Sequence, residues 1–341
     1  MENTQHFTES DASLGDPYIF PDRIGARVAK RKRKKRQHYP EHPAHPYNWS
    51  QTATVTALWL LARLPYRAGF VVGGALGGLG YYLARERRAI ARRNLELCFP
   101  EKSATEREAL VRENFRATGR SVVETALAWF GGSQVERIPV EIRGEEHIRQ
   151  ALESGSPVIA LSGHFLSVEL CARRLPDDLP MVAMYKPMNK KKVMDRAMLN
   201  ARRRNVTDAV SKDDMRGLLR TLKKRLPVWY AGDQDYGRKH SVFAPFFGVP
   251  AATITALSRL AKMSKATVVP LFFFRELDGS YLIEFQPALE GFPSGDDIED
   301  ATRMNRIVEQ AVRRYPEQYL WMHRRFKRQP DRASSSVYGA R

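Results

Sequence analysis

The chain has 341 residues, 43% of them hydrophobic, enough to bury a substantial core, which excludes disorder as its general state. Fifty-six Lys and Arg against 38 acidic residues leave a formal charge of +18 and a pI near 10.0, a balance suited to nucleic acid, anionic lipid headgroups or an acidic protein. The two cysteines, Cys98 and Cys171, lie far apart without metal-ligand spacing; this argues against a disulfide framework or zinc knuckle and fits a reducing, cytosol-facing environment.

In chain order, the polar and acidic start "MENTQHFTESDASLGD" carries no signal-like apolar region. Residues 1–45 read as a basic, disordered arm, aromatic-poor and left through Pro40, Pro43 and Pro46. Its basic run at residues 30–36 stands just before apolar material, where it reads as an anchor for anionic lipid. Residues 46–100 read as an apolar, membrane-associated helical segment built on "NWSQTATVTALWLLA" and "AGFVVGGALGGLGYYLA". The second run has 17 residues. As a helix it would reach roughly 26 Å, slightly under a hydrocarbon core of about 30 Å. Basic flanks on both sides, "KRKRKKR" and "RERRAIARR", favour a re-entrant hairpin or a surface-lying pair with both ends on the cytoplasmic face. Two core helices packed through glycine are the competing reading.

Residues 101–330 read as an α/β domain. A helix over residues 101–130 opens with Ser103 as N-cap and Glu106 three residues on. The apolar runs "SPVIALSG", "LPMVAMY", "LPVWYAG", "ATVVPLFFF" and "YLIEFQPAL" then alternate with helix-like stretches, "KVMDRAMLNARRRN", "DDMRGLLRTLKKR" and "ATITALSRLAKMS". That alternation predicts a mostly parallel central sheet flanked by helices, with function at the carboxyl ends of its strands. Residues 331–341 read as a disordered tail.

The chemistry centres on "SPVIALSGHFLSVELCARRL", where His164 and Glu169 follow a strand and a glycine turn. On one continuous helix, residues five apart diverge by about 140° and cannot share a face. A loop histidine leaning on a helical glutamate would leave one ring nitrogen against the carboxylate and the other free to take a proton. A helix-terminus histidine beside a glutamate favoured by the macrodipole fits the spacing as well. No G-x-S-x-G elbow promotes Ser162 or Ser167 to nucleophile, and no H-E-x-x-H offers a metal site. What remains is a base acting directly on a substrate hydroxyl. Lys186 and the run Arg202, Arg203 and Arg204 could bind phosphate, and Asp233, Asp235 and Tyr236 stand at a strand end. "WMHRRFKRQP" adds His323, Arg324 and Arg325, suited to headgroups or, more remotely, nucleic acid.

Taken together, "HFLSVEL", "RRNLELCFPE", "WYAGDQDYG", "SVFAPFFG" and "PEQYLWMHRRFKRQP" resemble the late acyltransferases of lipid A biosynthesis in Gram-negative bacteria, the Kdo-dependent lauroyl transferases and their myristoyl relatives. The resemblance runs from residue 45 to Pro330 and extends to the glycerolipid acyltransferases, whose motif usually ends in aspartate rather than glutamate. It implies transfer of a fatty acyl group from acyl carrier protein to a hydroxyl of a 3-hydroxyacyl chain on a Kdo-bearing lipid A precursor, without a covalent acyl-enzyme and without cofactor or metal. His164 then corresponds to the general base and Glu169 to its orienting partner; Arg203 stands nearest the family's arginine; Asp233 and Asp235 correspond to substrate-positioning residues. The implied location is the bacterial inner membrane, on its anionic lipids, with the catalytic domain on the cytoplasmic face and no nucleic acid as partner. A lysophospholipid or glycolipid acceptor is the alternative within the same chemistry.

Overall fold

The computed structural model describes residues 39–331 and 336–339, so the basic run at residues 30–36 and most of the expected arm lie outside the described residues. Four helices come first: α1 (Trp49–Leu61), α2 (Tyr66–Leu83), α3 (Arg85–Cys98) and α4 (Ala104–Phe130). The Ser103 hydroxyl accepts from the Glu106 N–H at 3.2 Å and the Glu106 carboxylate accepts from the Ser103 N–H at 2.7 Å, so the expected cap starts α4. Its length makes α4 the spine on which α1, α2 and α3 pack.

The glycines of α2 explain how. Gly69, Gly73 and Gly77 recur every fourth residue along one helix face, and that face is buried. A methyl group on Gly77 would lie 2.2 Å from the Phe115 carbonyl oxygen, and one on Gly119 of α4 would lie 2.1 Å from that of Gly73. The two backbones touch because neither carries a side chain there. The glycine-rich run is thus a packing surface, and among the described residues no helix is long and apolar enough to cross a membrane. The opposite side of α2, with Val71, Leu79 and Leu83, remains exposed, as do Trp49, Trp59 and Leu60 of α1.

The α/β part follows as β1 (Val140–Arg143), α5 (Glu145–Glu153), β2 (Val158–Ser162), α6 (Val168–Arg173), β3 (Val182–Tyr185), α7 (Lys192–Asn205), β4 (Asp208–Ser211), α8 (Met215–Lys223) and β5 (Val228–Ala231). A hairpin of β6 (Ser241–Phe246) and β7 (Val249–Ile254) leads to α9 (Ala256–Ser264), β8 (Thr267–Arg275), β9 (Tyr281–Phe285) and α10 (Asp297–Arg314). The main sheet has the order β1-β9-β8-β2-β5-β3-β4. The strands from β8 to β4 are mutually parallel, whereas β9 returns antiparallel to β8 with β1 parallel beside it. Every residue of β2 is buried, as expected of a strand covered on both faces.

The stretch "ATITALSRLAKMS" departs from the helical expectation. Ala252, Thr253 and Ile254 pair with Phe243, Val242 and Ser241, and α9 begins only at Ala256. Positive φ angles at Phe247 and Gly248 make the tight turn that lets "SVFAPF" claim these residues as a strand. In the expected tail, residues 336–339 are placed against the body, where the Tyr338 hydroxyl donates to Asn94 Oδ1 at 2.6 Å and accepts from the Phe326 N–H at 2.9 Å.

Candidate active site

The register of the sheet builds the centre of the site. Ser162 at the end of β2 lies opposite Ala231 at the end of β5, and the two strands are parallel. Two residues further on, each chain leaves the sheet on the same edge, which brings His164 and Asp233 together. The His164 Nδ1 lies 2.5 Å from Asp233 Oδ1, and the His164 backbone N–H donates to Oδ2 at 2.9 Å. Tyr319 donates its hydroxyl to the same Oδ2 at 2.8 Å. It arrives on the segment after α10, which pairs with the His164 loop: Leu166 N–H donates to the Gln318 carbonyl at 2.9 Å, and Leu320 N–H to that of His164 at 3.1 Å. Burial works to raise the Asp233 carboxyl, yet the His164 charge and the hydrogen bonds from His164 and Tyr319 outweigh it and hold the group well below the usual carboxylate range.

The carboxylate on the His164 ring is therefore Asp233, where sequence spacing nominates Glu169. Glu169 sits in the first turn of α6, and its partners are the Arg202 guanidinium from α7 and the Trp129 indole N–H from α4, the latter at 3.2 Å. The physical reason is that five residues of loop and helix turn Glu169 toward α4 and α7, while sheet register delivers a closer carboxylate. Arg202 is thus the arginine that meets the glutamate of the motif. Arg203, the sequence candidate, is 61% exposed beside Asp208 at 4.0 Å, and Arg204 donates to the Trp129 carbonyl at 2.9 Å. Lys186 lies exposed on the loop after β3. Glu169 and Arg202 flank an otherwise mainly apolar cavity, lined among others by Leu175, Met181, Trp229 and Phe273.

Of the remaining candidates, Arg325 lines the small cavity at His164 and Asp233, whereas Asp235, Tyr236 and Arg324 have other partners. Asp235 accepts from the Gly237 N–H at 2.9 Å and pairs with Arg328, which closes the "DQDYG" turn. Tyr236 is partly exposed, with Lys212 above its ring. Arg324 meets Glu86 at 3.2 Å. Arg325 is buried and donates to the Ala252 carbonyl at 2.7 Å and the Thr253 hydroxyl at 2.9 Å, so it holds the β6–β7 hairpin. Sequence reading assigns Tyr319 and Asn94 no site role and His323 one at headgroups, yet all three line one small cavity with His164 and Asp233. All three lie in motifs that carry the family resemblance, but their meeting with His164 is not legible locally, since each arrives from a distant part of the chain.

A histidine with one ring nitrogen on a buried carboxylate, at the carboxyl ends of parallel strands, defines a site equipped to take a proton from a hydroxyl. The chain matches the model of the bacterial lipid A biosynthesis acyltransferase family over residues 36–328. It is 39% identical over 296 residues to the lipid A biosynthesis palmitoleoyltransferase of Escherichia coli K12, covering 86% of this chain and 96% of that protein. It is also 39% identical over 291 residues to the lauroyltransferase of the same organism, covering 84% and 94%. With the E. coli myristoyltransferase the identity is 30% over 297 residues, covering 85% and 92%. The chain belongs to the bacterial lipid A biosynthesis acyltransferase family and is a transferase of that pathway.

Proposed function

We propose that this enzyme moves a fatty acyl group from the thioester of acyl carrier protein to a hydroxyl of a 3-hydroxyacyl chain on a Kdo-bearing lipid A precursor. The observation that carries the reading is the His164–Asp233 pair at 2.5 Å, because among the described residues the other ring nitrogen, Nε2, has no protein partner. In this reading Nε2 takes the acceptor's proton as its oxygen attacks the thioester carbonyl, and Asp233 fixes the tautomer and stabilises the imidazolium. Tyr319 keeps Asp233 aimed at the ring. Glu169, expected to orient His164, instead serves as a positioning residue through Arg202, at the cavity we assign to the acyl chain. The relatives named above carry palmitoleoyl, lauroyl or myristoyl in their names, at identities that do not separate the first two, so we assign the choice of chain length to the depth of that cavity.

The net charge of +18 suits both substrates in this reading, since acyl carrier proteins are acidic and lipid A precursors carry phosphates and carboxylates. We assign the exposed apolar side of α1 and α2 to the cytoplasmic surface of the inner membrane, lying in the interface rather than spanning it. An acyl-transfer assay with purified protein, acylated carrier protein and a tetra-acylated Kdo-bearing acceptor tests the reading. Wild-type transfer with a loss of about 10² or more in His164→Ala is expected. Undiminished activity in that variant would sink the mechanism, and faster transfer to a lysophospholipid would move the acceptor.

A further inference from the structure

His323 takes no part in the proton transfer assigned to His164 and Asp233. It lines the same cavity as His164 and Asp233, and its backbone is tied down on both sides. Its carbonyl accepts from Asn94 Nδ2 at 2.7 Å and from the Arg325 N–H at 2.9 Å, and its own N–H donates to the Leu320 carbonyl at 3.2 Å. Leu320 in turn donates to the His164 carbonyl at 3.1 Å, so one short chain of hydrogen bonds fixes the two histidines relative to each other.

The ring of His323 has a defined tautomer. Nε2 accepts from the Asp235 backbone N–H at 3.3 Å, so in the neutral imidazole the proton resides on Nδ1. Among the described residues that Nδ1–H has no protein acceptor. Burial pushes the ring's pKa down to about 4, and the neighbouring charges of His164 and Arg325 add to that against the pull of Asp233 and Asp235. The cavity therefore holds two histidines with different work. One is backed by a carboxylate and can accept a proton; the other stays neutral and has a proton to donate in a hydrogen bond.

We propose that His323 is a second catalytic histidine, its Nδ1–H donating to the oxyanion that forms when the acceptor oxygen adds to the thioester carbonyl. The inference rests on the acyl-transfer reading above. As His164 Nε2 takes the hydroxyl proton, the oxygen's electron pair forms the new C–O bond and the carbonyl π pair moves onto the carbonyl oxygen, where His323 donates. Collapse restores the carbonyl and breaks the C–S bond. The thiolate leaves with the proton that His164 held, so the products are an ester and a free thiol. A neutral donor held ready to meet developing negative charge is a strong source of rate enhancement in a partly buried site.

Two substitutions separate this role from a merely structural one. His323→Asn keeps an amide donor near the Nδ1 position but loses the acceptor for Asp235. His323→Gln keeps an acceptor near Nε2 but loses the donor. The proposal expects kcat to fall about 10²–10³-fold in H323Q with KM little changed, and to remain within about tenfold of wild type in H323N. H323Q retaining as much activity as H323N, or more, would overturn it. Nitrogen-15 NMR of histidine-labelled wild type adds a measurement that needs no variant to fold: a neutral Nδ1–H ring for His323 at pH 6 is expected, and an Nε2–H ring or an imidazolium would overturn the proposal. Wild-type turnover with the thioester donor tests the parent reading separately. Its absence removes both, whereas normal turnover with an unresponsive His323 removes only this inference.

Discussion

His164 and Asp233 are each two residues past the end of a strand, and the short contact between them follows from the register of those strands rather than from side-chain reach. Asp233→Asn replaces an acceptor with an amide whose NH₂ can face Nδ1, which favours the wrong tautomer. A kcat loss of about 10²–10⁴ is expected on that ground. Glu169→Gln weakens the hold on Arg202 without touching the His164 ring, so its effect should fall mainly on KM; steady-state kinetics of the two variants side by side check the division of labour. His323 gives a pH signature as well. Its pKa is about 4 in the fold against 6.5 for the ordinary side chain, so between those values the unfolded chain binds more protons and stability rises with pH. Acidification from pH 6.5 toward 4 should therefore remove up to about 3 kcal/mol of stability, read as a falling melting temperature, and H323N should lose that part of the slope. Asp233 works in a lower window: its depressed pKa stabilises the fold above the ordinary carboxylate range, and that contribution is lost as the pH falls through and below that range.

Between helices, the α2–α4 contact offers a controlled comparison. Gly119→Ala puts a methyl 2.1 Å from a backbone oxygen that cannot move without shifting α2, and a destabilisation of about 1–3 kcal/mol or more is expected. Gly78 belongs to α2 as well, but a methyl added there would meet nothing within 4 Å, so Gly78→Ala should gain about 0.5–1 kcal/mol from helix propensity alone. Thermal melts of both variants read the difference; equal effects would mean that the glycines do not set the helix contact. The run "VVGGALGGLG" signals a helix from its sequence, but which glycines matter depends on where α4 crosses. Likewise the cap at Ser103 is legible because it is local, whereas the strand Val249–Ile254 is not, because its partner and turn decide it.

Across the molecule as a whole, two features organise the rest. Glu124 and Arg275 form a buried ion pair at 2.5 Å between α4 and the end of β8, and Tyr281 donates to the same Glu124 oxygen at 2.6 Å. Together they lock the helical layer onto the sheet. Removing either charge alone leaves the other buried, so Glu124→Leu should cost about 3–5 kcal/mol in a denaturation experiment. The second feature is the exposed apolar side of α1 and α2. Replacing Leu79 and Leu83 by Glu should weaken flotation with anionic phospholipid vesicles by about 10²-fold, while melting stays at the wild-type value because both side chains are exposed. Unchanged flotation would remove this face from the proposed membrane contact.

What is local or compositional could be read from the chain without its fold: the strong positive charge, the alternation of apolar strands with amphipathic helices, the start of α4, and the placing of His164 just beyond a buried strand. Those follow from periodicity, capping chemistry and counting, none of which needs a distant residue. The motif likeness also carried the family correctly. Partners, by contrast, are a tertiary matter. Asp233 lies 69 residues from His164 and meets it only because β5 inserts beside β2, and Tyr319 and His323 enter on a segment from the far end of the chain. Strand order and register are set by the packing of the whole sheet, so the identity of the carboxylate on His164 could not be read from any window of sequence around it.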